Sequence, residues 1–450
     1  MDFDHLSSGY SEKFLLEETN RCVSCGLCLP HCPTYRLLGS EADSPRGRIA
    51  IMNGVVSGRI PLNEKAVAHL DRCLTCRACE SVCPNEVAYG QLIDEARKMV
   101  QFNLRQNKAD GEAQQGQLPV LKLLAAQVAR PARLDRLRWL VYLFQKIGLL
   151  RWLNSVNWLK KSSFWKRYDV NKLLMQLPPI VFPYSGGENS FRLTWRAVYP
   201  AVGAEKGKVG LFLGCIARLA DAATLNAGIF VLNRLGYGVS LPASQTCCGA
   251  LHQHAGDADK AEQLKRINMQ AFGEPDLLAV ISLASGCGVQ LTEYNMAGTQ
   301  DKTVSTECET FPEVMDISKF LMTAKCWSDV PILPLDKKIA IHDPCSLRHV
   351  LGDQDYPYQL LHFIPGAQVV VLADNDQCCG AAGTYFIRQP ELADRLLDDK
   401  IQAIIQSGAQ LLVTSNVGCA MHIAGRLREI GIDIEVLHPV TLLARQMGMQ

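Results

Sequence analysis

From residue 205 onward, short apolar runs rich in β-branched residues alternate with longer segments whose apolar residues recur at helical spacing. The short runs predict strands at 208–214, 277–284, 338–343 and 409–414, and the longer segments predict helices at 222–235 and 390–407. Strands that alternate with helices are typical of βαβ units, in which the sheet is mainly parallel. The second half of the chain is therefore predicted to be α/β.

Composition narrows the class of protein. The chain has 450 residues with 46 Lys+Arg and 45 Asp+Glu, and 48% of its residues are hydrophobic. This balance excludes a disordered or collagen-like chain and argues against a surface devoted to nucleic acid. The N-terminus lacks the basic and apolar regions of a signal peptide, and no uncharged apolar run reaches the ~18 to 20 residues of a membrane span. The uncharged run 277–292 is interpreted as a buried strand followed by a loop.

The 18 cysteines are the unusual feature, and eight of them form a duplicated motif. Each copy has the spacing C-x2-C-x2-C-x3-C followed by proline. The motif is that of bacterial two-cluster ferredoxins, in which the fourth cysteine of each copy binds the other cluster. The predicted ligands of cluster one are Cys22, Cys25, Cys28 and Cys83. Those of cluster two are Cys73, Cys76, Cys79 and Cys32.

A zinc ribbon would instead need two well-separated cysteine pairs, and the spacing therefore favours two 4Fe-4S clusters. About 40 residues separate the copies, including the periodic run 49–56, which predicts an α-helical ferredoxin. Arg46 and Arg48 lie in this insertion. They could stabilise anionic clusters, or they could anchor loops, which is the simpler interpretation.

The remaining cysteines recur at nearly one period. The matched sets are Cys215, Cys247, Cys248 and Cys287 in the first repeat, and Cys345, Cys378, Cys379 and Cys419 in the second. The shifts between matched members are 130, 131, 131 and 132 residues. Ligands of open α/β sheets gather beyond the carboxyl ends of the strands, where these cysteines are predicted to lie. We interpret the two sets as an additional metal or redox site, the alternative being buried inert thiols.

The predicted fold class is α + α/β, with an N-terminal α-helical two-cluster ferredoxin followed by two repeated α/β domains. The predicted parts are the ferredoxin at 1–105, a basic amphipathic helical segment and linker at 106–204, a first cysteine-rich domain at 205–335 and a second at 336–450. The Pro- and Gly-rich run 178–187 is typical of an exposed linker.

The segment 118–168 is strongly basic, with 11 Lys or Arg against one acid, and it holds four of the six tryptophans. A basic amphipathic helix rich in tryptophan is typical of contact with a membrane surface. Helices that bridge the ferredoxin to the repeats, with their apolar side against a partner subunit, are an equal alternative. Binding of single-stranded nucleic acid also uses basic aromatic surfaces, but nothing else in the chain supports it.

Several stretches resemble a known family. The two repeats resemble the CCG (cysteine-rich) domains of heterodisulfide reductase subunits, and the whole arrangement resembles the iron–sulfur subunits of glycolate oxidase and anaerobic glycerol-3-phosphate dehydrogenase. The glycolate oxidase type is the most similar, on PRGRI at 45–49, DRCLTCR at 71–77, SGCG at 285–288, CCGAAGTY at 378–385 and VGC at 417–419.

The fuller CCG pattern ends in C-x-x-C, whereas Ala284 and Asn416 occupy the first of those positions here. Each repeat therefore keeps four cysteines, which argues against a heterodisulfide-reductase-like reductase acting at this site. The histidines near cysteines are ambiguous between ligands and structural residues; they are His31, His252, His254, His342 and His349. No nucleophile–base constellation is present, so no catalytic residue is predicted.

The resemblance implies an electron-transfer subunit that does not turn over alone. An FAD-containing partner would oxidise a 2-hydroxy acid, glycolate being favoured, and the clusters would pass the electrons to quinone or another membrane acceptor. Partners that oxidise glycerol 3-phosphate or D-lactate are the alternatives. A cytoplasmic location is expected, with peripheral contact to the inner membrane through 118–168.

Overall fold

The computed structural model describes residues 10–109, 130–147, 176–186, 192–295, 310–324, 327 and 330–449. The chain forms two compact units. Unit one comprises Met1–Ala125, Gly249–Gln263 and Ala382–Leu396, and unit two comprises Ala126–Cys248, Leu264–Ala381 and Leu397–Gln450. The two short segments of unit one each follow a Cys-Cys pair of the repeats.

The N-terminal part of unit one is helical. Its elements are α1 Glu12–Asn20, α2 Pro33–Leu38, a 3-10 turn Glu41–Asp43, α3 Pro45–Val56, α4 Glu64–Asp71, α5 Ala78–Ser81 and α6 Tyr89–Ala109. Local sequence starts these helices: the side chains of Ser11, Ser44 and Asn63 accept hydrogen bonds from first-turn amides. Leu15 and Met52 are fully buried in the core between the helices.

The remaining elements alternate between strands and helices. Through the first repeat they are α7 Pro131–Lys146, β1 Val198–Tyr199, β2 Gly207–Phe212, α8 Ile216–Ala220, α9 Ala222–Arg234, β3 Tyr237–Ser240, α10 Ala250–Gln253, α11 Ala258–Ala271, β4 Leu277–Ser282, α12 Ser285–Thr292, β5 Val314–Asp316 and α13 Ile317–Thr323. Through the second they are β6 Lys338–His342, a π-helical turn Leu347–Leu351, α14 Asp355–Leu361, β7 Gln368–Val371, α15 Tyr385–Arg388, α16 Pro390–Ser407, β8 Leu411–Thr414, α17 Val417–Glu429, β9 Glu435–Leu437 and α18 Pro439–Gln446.

Among the described residues these strands form two sheets with the same topology. The first has the order β1-β3-β2-β4-β5 and the second β7-β6-β8-β9. All pairs are parallel except β1 with β3. Apart from the edge strand β1, the two strand orders match: β2 lies between β3 and β4, as β6 lies between β7 and β8. The next two strands of the chain are therefore added on opposite sides of β2 and of β6. Such a switch point is where open α/β sheets bind ligands.

The two sheets of unit two share one continuous apolar core. It includes fully buried residues from both repeats, among them Leu225, Ile281, Ile339 and Leu443. The last helix, α18, packs against α9 of the first repeat, and the hydroxyls of Thr224 and Thr441 lie 3.2 Å apart there. The repeats are therefore packed as one body within this unit.

The predicted fold class is confirmed, and the helix predicted at 390–407 is α16. Two details were wrong. The stretch predicted as a loop after the strand in 277–292 is helix α12, which begins at the residue after Ala284. The run at 178–187 is not simply exposed: Ile180 and Pro183 are buried, and the amide of Tyr184 donates to Asn226 Oδ1 at 2.8 Å.

The basic segment 118–168 is described only at 130–147. There, α7 buries Leu134, Asp135 and Arg138 against the rest of unit two. Arg138 lies over the Trp195 ring, 4.6 Å from its centroid, and Asp135 pairs with Arg218 at 2.7 Å. These contacts pack α7 against the first repeat, and whether the segment bridges the ferredoxin to the repeats stays a prediction. The rest of the proposed membrane-contact segment lies outside the described residues. No described helix is long and apolar enough to cross a membrane.

Candidate metal centres

The two ferredoxin cysteine loops have positive φ angles at matching positions. Ser24 and Gly26 in the first loop have positive φ angles of 56° and 87°, and Thr75 and Arg77 at the matching positions of the second have 55° and 60°. Backbone that alternates between right- and left-handed conformations turns successive N–H groups inward and forms an anion-binding concavity. Since three of these residues are not glycine, the conformation costs on the order of 1 to 3 kcal/mol at each. The duplicated strain favours a bound anionic group in each loop.

The predicted ligands of cluster one line a common pocket. Cys22, Cys25, Cys28 and Cys83 all border it, together with Cys79 and apolar or basic residues that include Pro45, Arg46 and Ile49. Cys83 thus lies with the three cysteines of the other loop, as the exchanged-ligand pattern requires. The assignment itself stays a prediction.

The predicted ligands of cluster two form a more buried group. Cys32, Cys73 and Cys79 are buried, and Cys76 is partly exposed. Cys32 Sγ lies 3.3 Å from Thr34 Oγ1, and the Tyr89 hydroxyl donates to Cys73 Sγ at 3.9 Å. Burial, with the nearby sulfurs of Cys76 and Cys73, raises the pKa of Cys79. No described cysteine is in a disulfide. Eight free thiols in two groups fit the donor sets of two 4Fe-4S clusters.

Buried charge surrounds the second group. Arg48 is 1% exposed and donates to the His69 carbonyl at 2.7 Å and to Thr34 Oγ1 at 3.0 Å. Asp43, also buried, accepts from Arg72 at 3.2 Å and lies 3.0 Å from His69 Nδ1. The network fixes the helices that carry the cysteine loops and leaves positive charge near them.

The two short segments of unit one pack on these helices. His254 Nδ1 lies 3.0 Å from Asp94 Oδ1, and Arg388 donates to Asp71 Oδ2 at 2.8 Å. Burial raises the pKa of Asp94, but His254 reverses this effect, and the pKa lies below its usual value. The partners of His254 and Arg388 are distant in sequence, so no pattern could have predicted these contacts.

In unit two, the repeat cysteines come together at the carboxyl ends of the strands, as predicted. Cys215 Sγ lies 3.4 Å from Cys247 Sγ, and Cys248 Sγ lies 3.5 Å from Cys287 Sγ. The second repeat has the same pairing, because Cys378 is hydrogen-bonded to Cys345, and Cys379 to Cys419. We call these groups the first and the second repeat site.

Equivalent side chains hold the loop before each Cys-Cys pair. Gln245 accepts from the Leu213 amide at 2.8 Å and donates to the Leu211 carbonyl at 3.2 Å. Asn375, at a shift of 130 residues, accepts from the Asp343 amide at 3.2 Å and donates to the Ile341 carbonyl at 2.8 Å. The loops are thereby tied to the first strands of their sheets, which positions the cysteines at the switch points.

The thiols of each repeat site influence one another's pKa. Hydrogen bonds from neighbouring cysteines, together with burial, raise the pKa of the thiols of Cys215, Cys248, Cys378 and Cys419. Hydrogen bonds from Cys378 and Cys419 instead lower the pKa of Cys379. The second repeat site can therefore hold a thiolate, which is the form that binds metal.

Hydrogen bonds link the residues beside the two repeat sites within unit two. Ser285, two residues before Cys287, lies with its hydroxyl 2.7 Å from that of Ser346, the residue after Cys345. The Ser285 amide also donates to the Ser415 carbonyl at 3.0 Å. Asn416 caps α17 through a 3.0 Å hydrogen bond from the Gly418 amide. The residue in place of the absent cysteine therefore has a structural role in the second repeat.

The structure separates the candidate histidines. His252 lies 3.3 Å from Asp257 Oδ2, and His349 Nε2 lies 3.1 Å from the Asp376 carbonyl oxygen. A ring nitrogen of His342, by contrast, lies with the sulfurs of Cys379 and Cys419, all three atoms within 4.8 Å of one another. The sequence signal was the position of His342 at a strand end, which it shared with no other candidate histidine.

Known proteins resemble this chain over its cysteine-bearing parts and beyond. A family model described as a 4Fe-4S dicluster domain matches residues 18–87, and one described as a cysteine-rich domain matches 209–292 and 339–424. A probable glycolate oxidase iron–sulfur subunit of Bacillus subtilis is 32% identical, covering 99% of this chain and 98% of the relative.

Two further relatives extend the comparison. The glycolate oxidase iron–sulfur subunit of Escherichia coli is 30% identical over 90% of this chain and 89% of its own length. Lactate utilization protein A of Geobacillus thermodenitrificans is 29% identical over 52% of this chain and 98% of its own. With ferredoxin loops, tandem repeat sites and near full-length similarity together, the chain belongs to the family of glycolate oxidase iron–sulfur subunits.

Proposed function

We propose that this chain is the electron-transfer subunit of a flavin-dependent 2-hydroxy-acid dehydrogenase complex in which a partner subunit oxidises glycolate to glyoxylate. The similarity to glycolate oxidase iron–sulfur subunits along nearly the whole chain carries the proposal. The duplicated cysteine loops support it, because iron–sulfur clusters transfer single electrons whereas a flavin on the partner accepts a hydride.

The proposed role of this chain's residues is to hold and tune two one-electron carriers. When bound, each 4Fe-4S cluster would supply a site that gains or loses one electron. One proposed ligand set is Cys22, Cys25, Cys28 and Cys83, and the other is Cys73, Cys76, Cys79 and Cys32. The inward N–H groups of the loops and the side chains of Arg46 and Arg48 would offset the negative charge of the clusters.

The proposed route ends at quinone or another membrane acceptor on the cytoplasmic face. The repeat sites are proposed as a further metal or redox site on this route. We do not propose disulfide reduction there, because Ala284 and Asn416 stand in place of the cysteines that complete the fuller pattern.

A second substrate has one observation in its favour. Lactate utilization proteins are similar to about half of this chain. D-lactate is therefore the second candidate for the partner's substrate. Glycerol 3-phosphate, the other alternative substrate, serves as the comparison below.

The test is to produce the chain together with FAD-containing 2-hydroxy-acid dehydrogenase subunits and to purify the complex anaerobically. Glycolate should reduce the clusters, seen by EPR, and drive reduction of a quinone analogue, whereas glycerol 3-phosphate should do neither. A Cys25→Ala variant in the same complex should still reduce the flavin but not the quinone analogue. Faster cluster reduction by D-lactate than by glycolate would reassign the substrate, and flavin reduction without cluster reduction would overturn the electron-transfer role.

A further inference from the structure

We propose that His342 is a metal ligand of the second repeat site, so that the two repeats hold chemically different sites. Among the described residues, the first repeat site brings together thiols without an imidazole, and the second brings together thiols and an imidazole. The inference deepens the proposed function and rests on it only for the identity of the metal, which we take to be iron of an iron–sulfur cluster.

The geometry brings the imidazole to the sulfurs. His342 is the last residue of β6 and is 1% exposed. Its ligand nitrogen and the sulfurs of Cys379 and Cys419 all lie within 4.8 Å of one another. Ligand atoms on a tetrahedral ion with metal–sulfur bonds of about 2.3 Å are separated by roughly 3.7 Å. A shift of about 1 Å therefore converts the observed arrangement into a coordinated one.

The two ring nitrogens of His342 have different surroundings. Nδ1 lies 2.9 Å from Thr414 Oγ1, on the neighbouring strand β8. Nε2 is buried and has no nitrogen or oxygen partner among the described residues. In the tautomer whose Nδ1–H donates to the threonine hydroxyl, the lone pair is on Nε2, where a metal can accept it. A second hydrogen bond of this kind is the usual support of a metal-binding histidine.

The first repeat provides an internal comparison. Phe212 pairs with Ser282 across strands β2 and β4, in the register that His342 and Thr414 have across β6 and β8. Phe212 packs against the Phe272 ring at a centroid distance of 6.2 Å and offers no ligand atom. The Ser282 hydroxyl instead donates to the Ala284 carbonyl. The imidazole and its supporting hydroxyl are thus specific to the second repeat.

The repeats also differ in the charge beside their cysteines. Lys400 of α16 is 2% exposed and donates to the Asp374 carbonyl at 2.7 Å. It lies in electrostatic contact with Cys378 and Cys379. When α11 and α16 are matched from their first turns, Asn268 takes the place of Lys400 in the first repeat. At this matched position only the second repeat has a buried cation, which is suited to a more negatively charged metal group.

Imidazole and thiolate together suit two thiophilic metals, iron in a cluster and zinc. Histidine replaces cysteine on one iron of some iron–sulfur clusters, and Cys3His is a known zinc donor set. Quantification of iron, zinc and acid-labile sulfide distinguishes the two metals.

The test uses the full chain, purified anaerobically with its partner subunits after growth with 15N-labelled histidine. Iron, zinc and acid-labile sulfide are quantified, and the reduced protein is examined by pulsed EPR for 15N coupling. His342→Phe introduces the residue that the first repeat has at the matching position. His342→Cys replaces the imidazole with a thiolate, which can also bind metal. His349→Phe is the matched control, since His349 lies nearby but bonds a backbone carbonyl.

The expected result is metal in excess of the ferredoxin's eight irons, a 15N coupling in the additional cluster, and loss of both in His342→Phe. His342→Cys should keep the excess metal without the coupling, and His349→Phe should keep both. Excess zinc without additional sulfide that His342→Phe removes would support the ligand role and change the metal.

Excess metal retained in His342→Phe, or no metal beyond eight irons in the wild type, would overturn the inference. If His342→Phe does not fold, the 15N coupling in the wild type and its absence from His342→Cys decide the question. Failure of the proposed function would look different, because the ferredoxin irons would then be missing or would not be reduced by the partner's substrate.

Discussion

Arg46 and Arg48, two residues apart in α3, lie beside different proposed ligand sets. Arg46 Nη1 donates to the Ser24 carbonyl at 3.0 Å, inside the loop of Cys22 to Cys28. Arg48 Nη2 donates at 3.0 Å to Thr34 Oγ1, which lies 3.3 Å from Cys32 Sγ. The sequence left open whether these arginines anchor loops or offset cluster charge. The contacts show that Arg46 anchors a loop and that each guanidinium lies beside a different proposed cluster.

Replacement of either arginine should therefore shift mainly one cluster potential. Removal of a nearby cation favours the oxidised, less negative cluster, so Arg48→Gln should lower the midpoint potential of cluster two by tens of millivolts. Arg46→Gln should lower that of cluster one by less, because its partly exposed charge is screened by solvent. Potentiometric titration followed by EPR measures both.

Arg59→Gln is the matched control, since Arg59 is exposed and follows the same helix. It should change neither potential by more than a few millivolts. Equal shifts of both clusters in the Arg48→Gln protein, or a rise in potential, would contradict the assignment of one arginine to each cluster.

Gly47, between the two arginines, has no room for a side chain. A Cβ atom there would lie 1.9 Å from the Glu41 carbonyl oxygen, in the turn that leads into α3. Gly47→Ala must therefore displace backbone, and we expect it to lower the free energy of unfolding by roughly 3 kcal/mol or more, the scale of severe overpacking. Anaerobic denaturant titration, with cluster content measured in parallel, tests the expectation.

Gly54→Ala in the same helix is the control. Its Cβ would meet only the Ile60 side chain, at 3.0 and 3.1 Å, which can rotate away. Since alanine favours a helix by up to about 1 kcal/mol over glycine, the net effect should be near zero. A Gly47→Ala protein as stable as Gly54→Ala would show that the Glu41 turn is not fixed.

The sequence predicted the repeats well because their cysteines follow strand ends, and strand periodicity and cysteine spacing are both local signals. It could not predict the positive φ angles of Ser24 and Thr75, which no glycine marks. The sequence could not predict the contact between Ser285 and Ser346 either, because these residues are 61 positions apart and share no pattern. His342 was one candidate among five until the strand register placed Phe212 at its counterpart position.

The stability of the second repeat should depend on pH through His438. Burial lowers the pKa of His438 to about 3, and its Nδ1 accepts from the Val440 amide at 3.1 Å as the cap of α18. In the unfolded chain the pKa is about 6.5, so between about pH 6.5 and 3 only the unfolded state binds the proton. Stability from this residue therefore falls as the pH falls, by about 1.4 kcal/mol at pH 5.5.

His438→Asn should remove this dependence, because asparagine can accept the same cap hydrogen bond without titrating. Between pH 7.5 and 5.5 the variant should lose about 1.4 kcal/mol less stability than the wild type. Burial raises the pKa of Asp316 to about 7, an effect of opposite sign that cancels in the comparison. His362→Asn, at an exposed histidine, is the control. Parallel pH profiles of wild type and His438→Asn would contradict the argument.

The exchange of the fourth cysteine between the two ferredoxin loops makes a prediction that no other ligation pattern shares. Cys83 lines the same pocket as Cys22, Cys25 and Cys28. In sequence, however, it is closer to the cysteines of the second motif, at 73, 76 and 79. Cys83→Ala should therefore perturb the EPR signal that Cys25→Ala perturbs, and Cys32→Ala the signal that Cys76→Ala perturbs. In each variant the loss of one cluster would remove about four of about eight ferredoxin irons.

Double variants make the pairing decisive. Cys25→Ala with Cys83→Ala should lose no more iron than either single change, because both residues serve one cluster. Cys25→Ala with Cys32→Ala should lose both clusters, because each residue serves a different one. Cys308→Ala, at a cysteine that matches no repeat position, should retain all of the ferredoxin iron. If the double variant Cys25→Ala with Cys32→Ala instead loses only one cluster, each loop supplies all four ligands of its own cluster. The exchange of the fourth cysteine then does not occur.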